Sequence, residues 1–317
     1  MIVSSNLVST TRGGDRMVTR RGVLAGGLGA LGALVLTGGA GAALVEAEVL
    51  PGRVWLDRTL GRCGTLPSAP PPPGVLRTRT FASRRRGTDV TVVTVLPAGV
   101  SSVRGLGVAL ALHGYGATAS SVVRSLALDH YLTEAVARGG VPPYALVAVD
   151  GGAAGYWHRR ANGDDPLGMI RAEILPWLRG QGALTRRVGV IGWSMGGYGA
   201  LLLAQTLAGG GGPRAAAVVA SSPALFSGYA DARAANGLAF DDAADFARND
   251  VFARLDALGG VPVRVDCGAS DPFAPMARRL LERLRPEGGM GEGCHDYAFW
   301  RGRLPAQLAF LGRHLAA

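Results

Sequence analysis

The sequence predicts an α/β fold in which a mainly parallel central sheet is flanked by helices, behind an N-terminal segment of different composition. Three observations carry this expectation. Two strand-like runs, Leu76–Thr80 and Val90–Leu96, follow one another with no helix between them, which points to an antiparallel start. From Gly107 onward, short apolar runs bounded by charge or glycine alternate with longer helical stretches, the rhythm of parallel strands joined by crossovers. The run Gly192-Trp193-Ser194-Met195-Gly196-Gly197 joins one such strand directly to a helix that begins with small residues.

The elements follow in chain order. Thr19-Arg20-Arg21-Gly22-Val23-Leu24 has the form of a twin-arginine export signal. Residues 23–45 are uncharged and long enough to cross a bilayer, and Ala40-Gly41-Ala42 offers a small-residue cleavage site. Residues 1–45 are therefore expected to export the protein, ending either in cleavage near Ala43 or in retention as a single membrane anchor. Residues 46–73 read as a linker with a polyproline stretch from Pro67 to Pro73, and 74–317 as one catalytic domain. Its remaining strands are predicted at Gly107–Leu112, Ala145–Val149, Val188–Ile191, Ala215–Val219 and Val261–Val265. Helices are predicted at Ala117–Val136, Met169–Leu178, Gly197–Leu207, Asp241–Leu258 and Pro275–Leu284. A last helix carries Trp300, Leu304, Leu308, Leu311 and Leu315. Asp231 to Asn249 is the least regular stretch and is expected to cover one side of an active-site mouth.

The Gly-x-Ser-x-Gly run reads as the nucleophile elbow of an α/β-hydrolase fold. A sharp strand-to-helix turn holds Ser194 in strained backbone angles, and Gly192 and Gly196 remove the Cβ atoms that would collide as the helix doubles back. A serine hydroxyl is a weak nucleophile until a base accepts its proton and a third group orients that base. In this fold the chain order is serine, acid, then histidine near the C-terminus. His295, in a loop before the last helix, is the expected base. Asp271, in the loop after a strand, is the expected acid in preference to Asp266, which belongs to the strand pattern. Oxyanion donors are expected at the N–H of Met195 and in the loop His113-Gly114-Tyr115-Gly116, at Tyr115 with Gly116 as the alternate. His113, Trp157, His158 and Trp193 are placed in the substrate pocket, with Tyr115, Trp157 and Trp193 forming an apolar acyl groove; His113 is also placed as a brace beneath its loop.

From about Gly107 to Leu315 the chain resembles the putative-esterase (esterase D) family of α/β-hydrolases, which also contains the mycolyltransferases of mycobacterial envelopes. The residues that carry the resemblance are Leu112-His113-Gly114, the elbow, Gly268-Ala269-Ser270-Asp271 and Cys294-His295-Asp296 leading to Phe299-Trp300. Asp150-Gly151-Gly152 with Tyr156-Trp157-His158, and Glu173-Ile174-Leu175-Pro176, also fit its layout. The resemblance implies a cofactor-free serine carboxylesterase or acyltransferase acting on a small-molecule or lipid ester. Mycolyltransferases use glutamate as the acid, so Asp271 favours the esterase side. A hydrolase-fold binding protein without turnover is the alternative from another class.

The net charge of +10 is carried wholly by arginine, since the chain has no lysine. Apart from Arg84-Arg85-Arg86 these charges are scattered without interleaved aromatics, so nucleic-acid binding is not expected. No zinc, calcium or P-loop spacing is present, and Asp164-Asp165 with Arg159-Arg160 reads as a solvated loop with local ion pairs. Three cysteines leave at least one without an intramolecular partner. Cys267 precedes the acid loop and Cys294 abuts the base, so a disulfide between them is expected, with Cys63 the alternative partner of either.

Overall fold

The first two apolar runs form an antiparallel hairpin, β1 (Val75–Ser83) and β2 (Thr88–Leu96). The computed structural model describes residues 56–57, 59–138, 140–208 and 212–316, so the expected export segment lies outside the described residues. Apart from Leu56, the described residues belong to the unit Asp57–Ala317. Six further strands follow: β3 (Gly107–Leu112), β4 (Tyr144–Val149), β5 (Leu184–Trp193), β6 (Arg214–Ser221), β7 (Val263–Gly268) and β8 (Glu287–Gly291). They build one eight-stranded sheet in the order β1-β2-β4-β3-β5-β6-β7-β8. The pairs β1–β2 and β2–β4 are antiparallel and all others parallel, so the carboxyl ends of β3 to β8 open on one rim.

Alternation along the strands sorts the core into two layers, because successive side chains of a strand point to opposite faces. Val108, Leu110 and Leu112 of β3 enter one layer, while Ala109 and Ala111 enter the other. The first layer is covered by α3 (Pro166–Met169), a π turn at Ile170–Ile174, α4 (Leu175–Gly180), α5 (Met195–Leu207) and α8 (Ala274–Leu284). The second is covered by α1 (Ala119–Leu126), α2 (Leu128–Arg138) and α9 (Tyr297–Leu315). Two short helices, α6 (Tyr229–Ala235) and α7 (Ala243–Asn249), stand between β6 and β7 in the stretch that reads as irregular. Among the described residues no helix is long and apolar enough to cross a membrane.

Several elements differ from the sequence expectation for identifiable reasons. The predicted helix 117–136 is two helices, because Ala127 turns left-handed (φ 50°) and closes α1 by donating its N–H to Arg124 O. The predicted helix 241–258 breaks at Asp250, whose extended ψ of 116° ends α7 before a 3-10 segment at Phe252–Leu258. Strand β8 has the sequence Glu-Gly-Gly-Met-Gly, which offers no apolar alternation to read. Of the residues expected as a linker, Pro67, Ser68 and Pro70 are tied to the domain through their carbonyls. Ser68 O accepts the Tyr131 hydroxyl, Pro70 O faces His130 Nδ1, and Pro67 O accepts from Arg301.

Candidate active site

The elbow is built by close backbone approach. Strand β5 ends at Trp193, and Ser194 takes φ 57° and ψ −121°, a region that disfavours side chains. Its N–H donates to Ser221 O at 3.0 Å, and its carbonyl accepts from Tyr198 and Ala224. A Cβ on Gly192 would stand 1.9 Å from Gly196 O, and one on Gly196 would stand 1.9 Å from Leu112 O. Both are backbone atoms that cannot rotate away, so the two glycines are what allow α5 to start against the end of β3.

Three side chains from separate strand ends meet at this turn. His295 Nε2 lies 2.8 Å from Ser194 Oγ, and His295 Nδ1 lies 2.8 Å from Asp271 Oδ2. The other Asp271 oxygen, Oδ1, accepts the Phe273 N–H at 2.8 Å, which fixes the carboxylate plane. The two loops are stitched together: Ala269 N–H donates to Gly291 O and Ser270 N–H to Gly293 O. Asp296 anchors the other side of His295 by capping α9, accepting the Phe299 N–H at 3.1 Å. Asp271 is sealed while the imidazole keeps 20% of its side-chain surface, so solvent reaches the relay at the histidine and not at the acid. An Nδ1–H held by a carboxylate leaves Nε2 as an acceptor for a hydroxyl proton. Asp266 takes no part, because Arg264 holds both of its oxygens (2.8 and 2.9 Å) and Gln307 donates to it as well.

The loop after β3 stands directly beside the serine. A Cβ on Gly114 would lie 3.4 Å from Ser194 Cβ. The Gly116 N–H donates to Ala153 O at 2.8 Å, so that alternate donor is already spent. Met195 opens α5, where a helix leaves its first N–H groups unpaired, and neither Met195 N–H nor Tyr115 N–H has an acceptor among the described residues.

The residues placed in the pocket by sequence are mostly core. Trp157 is fully buried: its indole N–H donates to His113 O, and its ring fits only because Gly151 and Gly199 lack side chains, with Cβ positions 2.3 and 2.6 Å from ring atoms. Trp193 is buried in the layer beneath α9. His158 is buried with its two nitrogens facing Ala239 O and Arg159 O. His113 braces its own loop, with Nδ1 against Gly114 O and Nε2 accepting the Gly151 N–H. Burial holds its pKa below the ordinary histidine value. Of the expected groove only Tyr115 is open, at 59% exposure. The aromatics that touch His295 are instead Phe273 and Trp300, at 5.3 and 5.1 Å between rings, with Phe226 behind Phe273. Phe273 stands two residues after Asp271, and that proximity in sequence was the available signal.

The expected Cys267–Cys294 bridge is replaced by Cys63–Cys294. Gly268 and Gly293 do touch, but Cys267 points under α8 against Ala274 and Ala277, whereas Cys294 reaches the N-terminal arm. Cys267 is a free, buried thiol whose pKa is raised, first by burial and then by the Asp271 charge, so it stays protonated. Among the described residues Cys63, Cys294 and Asp296 form the one cluster with metal-ligand potential, and its two sulfurs are consumed by the disulfide.

Comparison with known proteins agrees with this architecture. The model of the "Putative esterase" family matches residues 83–311. No curated protein sequence is similar enough to match. Among solved structures, a ferulic acid esterase superposes with a TM-score of 0.64 at 19% identity, covering 77% of this chain and 99% of its own. An S-formylglutathione hydrolase from Agrobacterium tumefaciens gives 0.61 at 18% identity, covering 76% of this chain and 96% of its own. A fluorophosphonate-binding serine hydrolase of Staphylococcus aureus gives 0.60 at 18% identity, covering 76% and 99%.

Proposed function

Because the chain belongs to the putative-esterase family, we propose that it is an exported serine carboxylesterase using Ser194, His295 and Asp271 as its triad. The observation that carries this reading is the unbroken relay from Ser194 Oγ through His295 to Asp271, with 2.8 Å at each step. Ser194 Oγ attacks the ester carbonyl carbon while His295 Nε2 takes the hydroxyl proton. The carbonyl oxygen becomes an oxyanion, which the N–H groups of Met195 and Tyr115 stabilise. One such donor contributes about 10²–10³ in kcat. His295 returns the proton to the leaving alkoxide, giving an alcohol and an acyl-serine. Water then attacks the acyl carbon and gives its proton to His295; the bond to Ser194 Oγ breaks, Oγ takes that proton back from His295 Nε2, and the acid leaves. Asp271 stays ionised throughout and orients the ring.

Two features support export: the Arg20-Arg21 signal ahead of an uncharged stretch, and a disulfide, which persists in oxidising compartments. Fluorophosphonate labelling followed by a p-nitrophenyl ester chain-length series tests the activity. The expected result is labelling that depends on Ser194, with turnover. Failure to label or to hydrolyse any ester leaves a hydrolase-fold binding protein. A sugar acceptor added to the same assay separates hydrolysis from acyl transfer. Cell fractionation of the native chain against an Arg20→Lys/Arg21→Lys variant tests export, which requires the variant to be retained inside.

A further inference from the structure

A cleft of about 430 Å³ opens on the face of the sheet that carries α5. Leu202 and Thr206 of α5 line it. At the rise of an α-helix they stand about 12 to 18 Å from Ser194 along the axis, so the cleft is separate from the ester site. Four distant segments each send an arginine to it: Arg85 from the β1–β2 turn, Arg159 from the loop after β4, Arg171 from the π turn and Arg254 from the 3-10 segment.

The charges in this cleft are unbalanced. Asp165 is its only carboxylate; it already caps α3 by accepting the Gly168 N–H at 2.9 Å, and it touches Arg85 at 3.4 Å. Among the described residues Arg159, Arg171 and Arg254 have neither a carboxylate partner nor a side-chain hydrogen bond. Nearby arginines on the same surface do have them: Arg86 with Asp164, Arg160 with Asp241 and Arg248 with Asp245. Like charges gathered without counter-charges repel one another, and the arrangement becomes favourable when an anion enters. Guanidinium forks match the paired oxygens of a phosphate, and several converging forks favour a multiply charged group over a lone carboxylate. Leu167, Leu202 and Pro213 add apolar surface to the lining, and the volume of the cleft suits a small organic molecule.

We propose that this cleft binds a phosphate ester, with the phosphate held by Arg159, Arg171 and Arg254 and the apolar substituent laid over Leu167 and Pro213. The phosphate ester is either a soluble phosphorylated molecule or the headgroup of an anionic phospholipid.

Calorimetric titration of the full chain with phenyl phosphate at low salt, with phenol as the neutral control, tests the site. The expected Kd is about 1 mM or tighter, with no binding of phenol. Arg159→Ala/Arg171→Ala should weaken binding about tenfold or more. Ala172→Trp should do the same by filling the cleft without changing any charge, and thermal melts confirm that both variants are folded. Absence of binding up to about 10 mM overturns the proposal. So does an affinity unchanged by Ala172→Trp, which would mean diffuse attraction to a chain of net charge +10. Sedimentation with phosphatidylglycerol or phosphatidylcholine vesicles separates the sources. Excess retention on phosphatidylglycerol that Ala172→Trp abolishes assigns a lipid headgroup, and phenyl phosphate binding without such excess assigns a soluble ligand.

Discussion

His113 accepts the Gly151 N–H through Nε2 at 3.0 Å, while its Nδ1 faces Gly114 O at 2.9 Å. An imidazole in this setting must be neutral and carry its proton on Nδ1, because a proton on Nε2 would oppose the Gly151 donor. Burial, the largest influence, and the nearby Arg86 lower its pKa; the Gly114 carbonyl and Asp150 raise it by less. A histidine whose folded pKa lies below its unfolded value contributes full stability above the unfolded value of 6.5 and loses it as pH falls. Because the same ring holds the loop beside Ser194, acid should weaken the fold where it supports the elbow. The measurement is the difference in unfolding midpoint between the native protein and His113→Asn across the range from neutral pH downward. The native advantage should shrink as pH drops below 6.5. A difference that stays constant with pH would show that the ring is not required to be neutral.

The Asp271 contact with His295 Nδ1 makes a sharper prediction for the relay. In Asp271→Asn the amide oxygen can still accept the Phe273 N–H, which turns the NH₂ group toward His295. That donor forces the imidazole proton onto Nε2, so the ring cannot accept from Ser194. Loss of kcat/KM should reach about 10²–10⁴, with an unchanged unfolding midpoint. Ser194→Ala and His295→Ala should each cost at least about 10³. An Asp271→Asn loss below tenfold would remove Asp271 from the orienting role. Asp266 is a poor replacement, since Arg264 and Gln307 already hold its oxygens.

The Cys63–Cys294 disulfide ties the N-terminal arm to the residue before His295, across a sequence separation of 231. Removing a native disulfide typically costs about 2–5 kcal/mol. Cys63→Ser should therefore lower stability by that order and lower activity near its melting temperature, and reductant should do the same to the native protein. Cys267→Ser should leave the bridge intact. Alkylation of the unfolded, unreduced chain followed by mass measurement should modify Cys267 alone. Protection of Cys267 from alkylation would instead place it in the bridge.

How much of this was legible in the sequence depends on what fixes each feature. Strand β3 is legible as Gly107–Leu112 and is observed so, because a continuous apolar run ended by His113-Gly114 leaves little choice of boundary. The serine, acid and histidine that converge were legible because chain order and loop position constrain them strongly. The left-handed Ala127 that splits α1 from α2 was not, since nothing in the composition of 117–136 marks it. Strand β8 was hidden because pairing with β7, not side-chain pattern, makes Glu287–Gly291 a strand. The burial of Trp157 and Trp193 is not legible for a related reason. Proximity in sequence to a loop says that a ring is near the site, but not whether it points to solvent or to a notch left by Gly151 and Gly199.

Two glycines on α9 separate backbone entropy from packing. Gly302 has nothing within 4 Å of where a Cβ would stand, whereas at Gly312 that Cβ would meet Val141 Cβ and Cγ2 at 2.6 Å. Both positions are helical, so alanine relieves the same backbone entropy cost at each, about 0.5–1 kcal/mol. At Gly302 nothing opposes that gain, and Gly302→Ala should raise the melting temperature by about 1–4 °C. At Gly312 the added methyl pushes on a branched side chain already packed against the helix, and overpacking of this kind costs about 1–3 kcal/mol. Gly312→Ala should therefore lower the melting temperature even though the local helix propensity improves. Pairing Gly312→Ala with Val141→Ala should restore much of the loss by vacating the space. A stabilising Gly312→Ala, or no rescue in the double variant, would mean that α9 does not pack on Val141 as described.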